Sequence, residues 1–418
     1  MPASALTHLP IPGGPAGLAA VTPVLRLALT GEGPALALTP LEPTPSRYGQ
    51  RLLAALAPDQ PLESADIALV VGTSGSTGHP RGVLLTREVL IASAAASLAR
   101  LGGPGRWVVA LPLHHIGGVM TVVRALQADL EEAAAVADPS LGGVTRFEPA
   151  TFVTTTFEAR SRSDSDGTRL YTSLVPTQLA RLSTHPDGVY ALAAYDAVLA
   201  GAAATPPELL SRLRESGVNV VVSYGMTETC GGCVYDGVPL DGVDISLASV
   251  VDDVGQIVIG GSQLARGYRR DPVMTEESFR FDGFHSSDRG RLGPGGVLEV
   301  VGRLDDIVAV GGVNVSVTAV EDVVRNVAGI EDAVVVAVPD TEWGVRLVAQ
   351  VVAGASGAGS REGIAEEVRL QVAAALGRRA VPEVTFLESL PLLASGKVDR
   401  DALRASAVEG PDSSSEKR

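Results

Sequence analysis

Apolar and polar positions along this chain follow two rhythms. Short, nearly continuous apolar runs at Ile67 to Val71, Trp107 to Leu111, Phe152 to Thr156, Ala197 to Ala200 and Val218 to Val222 have the length and β-branched content of strands. Between them lie segments with helical spacing, Thr86 to Leu101, Ile116 to Ala128, Pro176 to Leu182 and Pro206 to Glu215. This alternation predicts an α/β fold on buried, largely parallel strands. From Gly255 the texture changes to short strands punctuated by glycine, such as Gln256 to Ile259 and Val297 to Val301, which predicts a twisted antiparallel sheet or barrel. A third pattern follows Arg303-Leu304-Asp305-Asp306: a helix at Ala319 to Val327, strands at Ile330 to Pro339 and Val345 to Val352, a helix at Arg361 to Leu376 and a strand near Pro382 to Phe386. That reads as a small α+β domain of about 110 residues. The first sixty residues, rich in Ala, Pro and Leu, carry little pattern.

Composition narrows the class. A chain of 418 residues is too long for one core, so two or three domains are expected. Hydrophobic residues make up 45% of it, yet no uncharged apolar run is long enough to span a bilayer. The start, Met1-Pro2-Ala3-Ser4-Ala5, lacks the basic and apolar regions of a secretory signal, so a cytoplasmic protein is expected. A formal charge of -15 argues against a general binder of nucleic acid or anionic membrane, while leaving room for a local basic pocket. The expected partner is a small molecule, and a homo-oligomer is left open. Cys230 and Cys233, the two cysteines, have no second Cys pair or nearby His pair to complete a zinc site, and are read as small residues lining a pocket wall. Of 33 basic residues all are Arg except Lys397 and Lys417. Lys417 lies in a tail, 410–418, of disordered composition, whereas Lys397 follows Ser395-Gly396 in a turn before a short helix. A compact ammonium on a flexible stem can do there what a planar guanidinium cannot.

Two motifs carry chemistry. Gly72-Thr73-Ser74-Gly75-Ser76-Thr77-Gly78-His79-Pro80-Arg81-Gly82 follows a strand pattern and precedes a helix-like segment. Glycines let backbone N–H groups approach a ligand, the hydroxyls add donors and Arg81 adds a fixed charge, an inventory suited to a triphosphate. The Gly-Lys-Ser/Thr ending of a Walker loop and the Gly-x-Gly-x-x-Gly of a dinucleotide fold are both absent from it. The second motif, Tyr224-Gly225-Met226-Thr227-Glu228-Thr229, follows the strand ending at Val222, and ligands of open α/β sheets bind at such carboxyl ends. Glu228 could hold Mg²⁺ against phosphate oxygens, with Thr227 or Thr229 as a donor.

Together these segments resemble the ANL superfamily of acyl-CoA synthetases, peptide-synthetase adenylation domains and luciferases. The resemblance covers roughly Ile67 to Arg400. Thr73-Ser74-Gly75-Ser76-Thr77-Gly78 looks like the family's phosphate loop and Tyr224 to Thr229 like its YGMTET motif. Gly302-Arg303-Leu304-Asp305-Asp306 looks like its hinge, and Ser395-Gly396-Lys397 like the motif bearing its catalytic lysine. The resemblance implies an adenylate-forming fold: a large N-terminal α/β domain of layered sheets with a small distorted β unit, residues 1–304, and a small mobile C-terminal α+β domain, residues 305–409. It implies ATP, Mg²⁺ and CoA as cofactor and co-substrates. By the same resemblance Asp288 and Arg303 bind the ribose, Gly201, Ala202, Ala203, Tyr224 and Gly225 border the nucleotide, and Asp305 is the hinge. Gly311 and Gly312 would let a pantetheine arm pass, and Thr227, Glu228 and Lys397 serve adenylation. Departures are Arg81 where the family usually has Lys, Ser287 where a Gly is usual, and less chain before the phosphate loop than most members carry.

Leu111-Pro112-Leu113-His114-His115-Ile116-Gly117-Gly118 follows a strand and opens a helix on which Arg124 lies nine residues past His115. On one helix those two would face opposite ways, so they share a cavity only if His115 belongs to the preceding loop. His115 matches the family's pocket-gating His. Arg124, in an apolar helix, wants an anion: a structural acid or a second carboxylate on the substrate. Leu113 to Arg124 and Ser173 to Leu179 resemble the o-succinylbenzoate:CoA ligases of menaquinone biosynthesis. That resemblance implies a dicarboxylic aromatic acid whose second carboxylate meets Arg124 or Thr229, with Gly231 and Gly232 leaving room for the ring. Another aryl- or acyl-CoA ligase, a carrier-loading adenylation enzyme and a non-catalytic nucleotide binder remain as alternatives.

Overall fold

The computed structural model describes residues 6–42, 47–73, 80–127, 134–135, 147–304, 306–354, 360–391 and 398–409. Three sheets occupy the part before residue 304, and each matches one stretch of the hydrophobic pattern. The first contains β1 (Leu6–Ile11), β2 (Ala35–Pro40), β3 (Ile67–Gly72) and β4 (Gly82–Thr86), closed by the late two-residue strand Gly267–Tyr268. Its β1, β2 and β3 run parallel, with α1 (Gly14–Thr30) and α2 (Arg47–Leu56) in the crossovers. The opening residues, featureless as sequence, therefore build a βαβ unit. β3 and β4 are antiparallel, so the glycine-rich loop joins two strands, and the predicted direct passage into a helix is corrected by one strand. Helix α3 (Arg87–Leu101) follows β4, its start fixed by the Thr86 hydroxyl accepting from the Val89 N–H at 3.3 Å and its end by Gly102 at φ 98°.

The second sheet has the order β11-β10-β9-β8-β7-β5-β6, comprising β5 (Gly105–Val109), β6 (Ala134–Ala135), β7 (Arg169–Leu174), β8 (Ala197–Ala200), β9 (Val220–Met226), β10 (Gly231–Tyr235) and β11 (Val238–Pro239). From β6 to β9 every pairing is parallel, as the apolar runs predict. Helices α4 (Ile116–Gln127), α5 (Pro149–Asp166), α6 (Pro176–Thr184), α7 (Gly188–Ala193) and α8 (Pro207–Glu215) supply its connections. Phe152 to Thr156, predicted as a strand, lies inside α5. Its β-branched residues favour a strand locally, but Phe152, Val153, Thr156, Ala159 and Ser163 bury one helical face, and that tertiary burial outweighs propensity.

The third sheet is antiparallel: β12 (Val243–Val251), β13 (Val254–Gly261), β15 (Phe279–Arg280), β16 (Gly283–Leu292) and β17 (Leu298–Arg303). The strand Gly267–Tyr268, here β14, and α9 (Pro272–Ser278) lie between β13 and β15 in sequence. Beyond residue 305 come the hairpin β18 (Ile307–Val310) and β19 (Val313–Ser316), α10 (Val317–Arg325), β20 (Ile330–Asp340), β21 (Gly344–Ala353), α11 (Arg361–Leu376), β22 (Glu383–Leu387) and α12 (Arg400–Glu409). Two apolar clusters, one around Val320, Val335 and Val368 and one around Val336, Val348 and Leu403, draw only on residues after 307.

Candidate active site

Parallel strands bring their carboxyl ends to one edge. That edge carries His114 and His115 after β5, Gly201 after β8, and the end of β9 with Tyr224 to Thr229. At the neck of the glycine-rich loop the Thr73 N–H donates to the Arg81 carbonyl at 2.8 Å, and the Arg81 N–H returns a bond to the Thr73 hydroxyl at 3.2 Å. Ser74, Gly75, Ser76, Thr77 and Gly78 lie outside the described residues, as do Asp305 and Lys397.

Thr227 to Thr229 form a single 3-10 turn in which all three residues are buried. Burial is the main cause pushing the Glu228 carboxyl above its usual range, and the nearby Asp288 charge adds to it while Arg81 opposes it. The Tyr268 hydroxyl donates to Glu228 Oε1 at 2.8 Å, and the Arg81 guanidinium lies 5.6 Å from the centre of the Tyr268 ring. The Thr229 hydroxyl is engaged within its own turn. It accepts from the Met226 N–H at 3.0 Å and lies 2.7 Å from the Gly231 carbonyl as donor. Gly225 is required by contact, because a Cβ there would collide with the Gly231 carbonyl oxygen. A Cβ on Gly232 would meet the Ser223 hydroxyl, whereas one on Gly231 would just touch Ile116 and Met120 of α4 at 3.8 Å. Gly231 thus borders α4.

Asp288 on β16 and Arg303 on β17 are paired in register and bonded at 3.3 Å. The Tyr224 hydroxyl donates to the other Asp288 oxygen at 2.9 Å, joining the second sheet to the third. Burial, followed by the Asp288 charge, pushes the Tyr224 phenol far above its ordinary range, so it stays a donor. After β8, exposed Ala202 holds φ 70°, a conformation that costs a non-glycine residue energy and clusters at functional sites. The fold therefore brings Tyr224, Asp288 and Arg303 together, although Asp288 is 64 residues from Tyr224 and 15 from Arg303 in the chain.

His115 precedes α4, its carbonyl accepting from the Gly118 and Val119 N–H groups at 3.0 Å, so its direction is free of the helical period. Its ring lies 4.2 Å from that of His114. Burial lowers the His114 pKa to about 4, and His114 Nε2 has no hydrogen-bond partner. Arg124 is 3% exposed, with its guanidinium 5.1 Å from the Trp107 ring centre and its Nε unpartnered. No acid is paired with Arg124 among the described residues. Cys230 is near enough to feel the Arg124 charge, but burial dominates and pushes both thiols up, Cys233 to about 12, leaving them inert packing groups.

In the C-terminal part, Gly311 and Gly312 form the tight turn between β18 and β19 with φ of 55° and 81°. A Cβ on Gly311 would press on the Trp343 ring and on Arg379, which stack at 3.9 Å, whereas one on Gly312 would meet no described atom within 4 Å. Open space is present at Gly312 and not at Gly311. Sequence reasoning missed Trp107, Tyr268 and Arg269. Arg269 is buried and donates to the carbonyls of Leu56, Ala57, Gln60 and Pro61 while pairing with Glu63 at 2.6 Å. Neighbouring arginines at 266 and 270 hid it, and Tyr268 was hidden by lying in a loop of unremarked pattern. Trp107, one of two tryptophans, was visible but had no partner assigned.

Residues 19–269 match the family described as AMP-binding enzyme, and residues 319–397 match the AMP-binding enzyme C-terminal domain. A probable 2-succinylbenzoate–CoA ligase of Mycobacterium tuberculosis is 39% identical over 398 residues, 94% of this chain and 97% of that relative. A feruloyl-CoA synthase of Amycolatopsis is 30% identical, covering 83% of this chain and 71% of the relative. Among solved structures, o-succinylbenzoate CoA synthetase from Bacillus subtilis in complex with its acyl-adenylate intermediate has TM-score 0.67 and 24% identity, covering 92% of this chain and 81% of that one. The match to the first of these relatives takes in nearly all of both chains.

Proposed function

The chain belongs to the AMP-binding enzyme family and is an AMP-forming acyl-CoA synthetase, and on that premise we propose that it is an ATP-dependent o-succinylbenzoate:CoA ligase acting in menaquinone biosynthesis. The observation that carries the substrate is Arg124, a buried guanidinium with no acidic partner among the described residues. An unpaired buried cation is costly, and a dicarboxylic substrate would repair it with the carboxylate that does not react. The relative from Mycobacterium tuberculosis supports the same acid.

In this reading the substrate carboxylate attacks the α-phosphorus of ATP in line, and the bond to pyrophosphate breaks, giving an acyl-adenylate. The CoA thiol then attacks the acyl carbon, loses its proton, and AMP leaves. Arg81 and the loop from Thr73 to Gly78 would hold the β- and γ-phosphates. Asp288 would accept from the ribose diol, with Arg303 holding it in place. Tyr224 and the turn at Gly201-Ala202-Ala203 would flank the base, and His115 would line the acyl pocket beside Gly231 and Arg124. Lys397 would neutralise charge between carboxylate and α-phosphate. Glu228 fits Mg²⁺ carried by the nucleotide, because its desolvated carboxyl gains from a cation and Mg²⁺ is commonly held by one carboxylate plus substrate phosphates. When bound, that ion would neutralise charge on the departing pyrophosphate.

The test is release of AMP and pyrophosphate from ATP, Mg²⁺ and CoA across a panel: o-succinylbenzoate, benzoate, ferulate, fatty acids and amino acids. Preference for o-succinylbenzoate with a thioester product is the expected outcome. Preference for ferulate or another monoacid keeps the chemistry and discards the substrate. Adenylation without transfer to CoA would point to a carrier protein as acceptor.

A further inference from the structure

Tyr268 touches both the residue leaving the phosphate loop and the acid of the YGMTET motif, and the fold immobilises it from several sides. Its strand, β14, pairs with β4, the strand that leaves the loop, through Tyr268 opposite Val83 and Gly267 opposite Leu84. The next residue, Arg269, donates its N–H to the Gly82 carbonyl at 2.7 Å. The Tyr268 N–H bonds the Thr275 hydroxyl at 2.9 Å, and the Phe279 ring meets its ring edge-on at 5.6 Å. Gly267, at φ 138°, lies so close to Thr275 that a Cβ would collide with it. The segment is also tied to the acid itself, since the Ala265 N–H donates to the Glu228 carbonyl at 2.8 Å. Tyr268 is 6% exposed and presents two working surfaces, its ring to Arg81 and its hydroxyl to Glu228 Oε1.

We propose that Tyr268 is a positioning residue: it fixes the Glu228 carboxylate in the orientation that receives the nucleotide-borne cation, and seats Arg81 on the same rigid ring. The proposal rests on the reading that ATP with Mg²⁺ is the substrate. A glutamate has three rotatable bonds, and a hydrogen bond to one oxygen from an immobile phenol leaves the other oxygen aimed in one direction. A cation–π contact gives a guanidinium a preferred seat without neutralising it, so Arg81 keeps its charge for phosphate. One ring therefore aligns a cation and a carboxylate, the two charges a magnesium-bound triphosphate needs. Arg81 and Glu228 also attract each other as charges, and the β4–β14 pairing sets the ring between them.

The experiment is calorimetric binding of α,β-methylene-ATP, which cannot release pyrophosphate and so cannot adenylate an acid, to the full chain with Mg²⁺ and with EDTA. Tyr268→Phe removes the hydroxyl and keeps the ring. It is expected to weaken Mg²⁺-supported binding about tenfold, the size of one charge-assisted hydrogen bond, and to leave binding in EDTA within about twofold. Tyr268→Leu also removes the seat for Arg81 and is expected to weaken binding in both conditions. A Tyr268→Phe, Glu228→Gln double variant should bind no more weakly than Glu228→Gln alone, because the hydroxyl acts through Glu228. Full Mg²⁺ enhancement in Tyr268→Phe, equal loss with and without the ion, or additive losses in the double variant would each overturn the proposal. Absence of Mg²⁺-enhanced binding by the parent chain would overturn the ATP reading and this proposal with it.

Discussion

Arg124 sets function against stability within one residue. Removing its buried charge leaves a methionine-sized apolar group on Trp107, so Arg124→Met is expected to raise unfolding stability by about 1–3 kcal/mol. The same change should raise KM for o-succinylbenzoate at least tenfold while leaving a monocarboxylate such as benzoate unaffected. Steady-state kinetics beside thermal melts test both halves, and an unchanged KM would remove Arg124 from the pocket. His114 makes a pH prediction. Its folded pKa, about 4, is below the ordinary 6.5, so between these values the unfolded chain binds a proton that the folded chain does not. Its contribution is present above pH 6.5 and is lost as pH falls toward 4, by at most about 3 kcal/mol. In urea unfolding, His114→Phe should flatten the loss of stability between pH 7 and pH 5, and an identical slope would refute the assignment.

Elements decide what single residues could not. Arg269 holds the carbonyls that end α2 and the turn after it, doing for a helix terminus what a ladder of N–H groups does inside one. Arg269→Met would orphan those carbonyls and strand Glu63, so a loss of about 3–5 kcal/mol is expected in equilibrium unfolding. A change below about 1 kcal/mol would mean that water replaces the guanidinium. Most helices and parallel strands were legible because their period exceeds local noise. Phe152 to Thr156 was misread because five residues carry propensity, while the buried face of α5 is visible only over fifteen or so. β4 was missed because Val83, Leu84 and Leu85 continue without a break into α3, and only pairing with β3 and β14 separates them.

At the scale of the molecule, apolar clusters on either side of residue 305 support a division into an N-terminal AMP-binding domain and a C-terminal domain, which we propose move against each other during turnover. Lys397 belongs to the second unit, so its role is testable by splitting the reaction. Lys397→Ala is expected to abolish pyrophosphate release while leaving thioester formation from supplied acyl-adenylate within about threefold of the parent. Equal loss in both half-reactions would overturn that role.

Sequence by itself reached the reaction class through resemblance, because the glycine and hydroxyl loop, the acid after β9 and the isolated lysine stand in the order of the adenylate-forming family's motifs. It also determined the parallel sheet, whose buried strands leave continuous apolar runs. Tertiary structure alone decided which groups meet. Only pairing between the second and third sheets sets Tyr224 on Asp288, and only the β4–β14 pairing sets Tyr268 between Arg81 and Glu228. It likewise turned the Thr229 hydroxyl onto the Met226 N–H and the Gly231 carbonyl and left Arg124 without an acid among the described residues. The physical reason is range: period and propensity act over a few residues, whereas hydrogen-bond saturation and charge pairing depend on partners tens to hundreds of residues away.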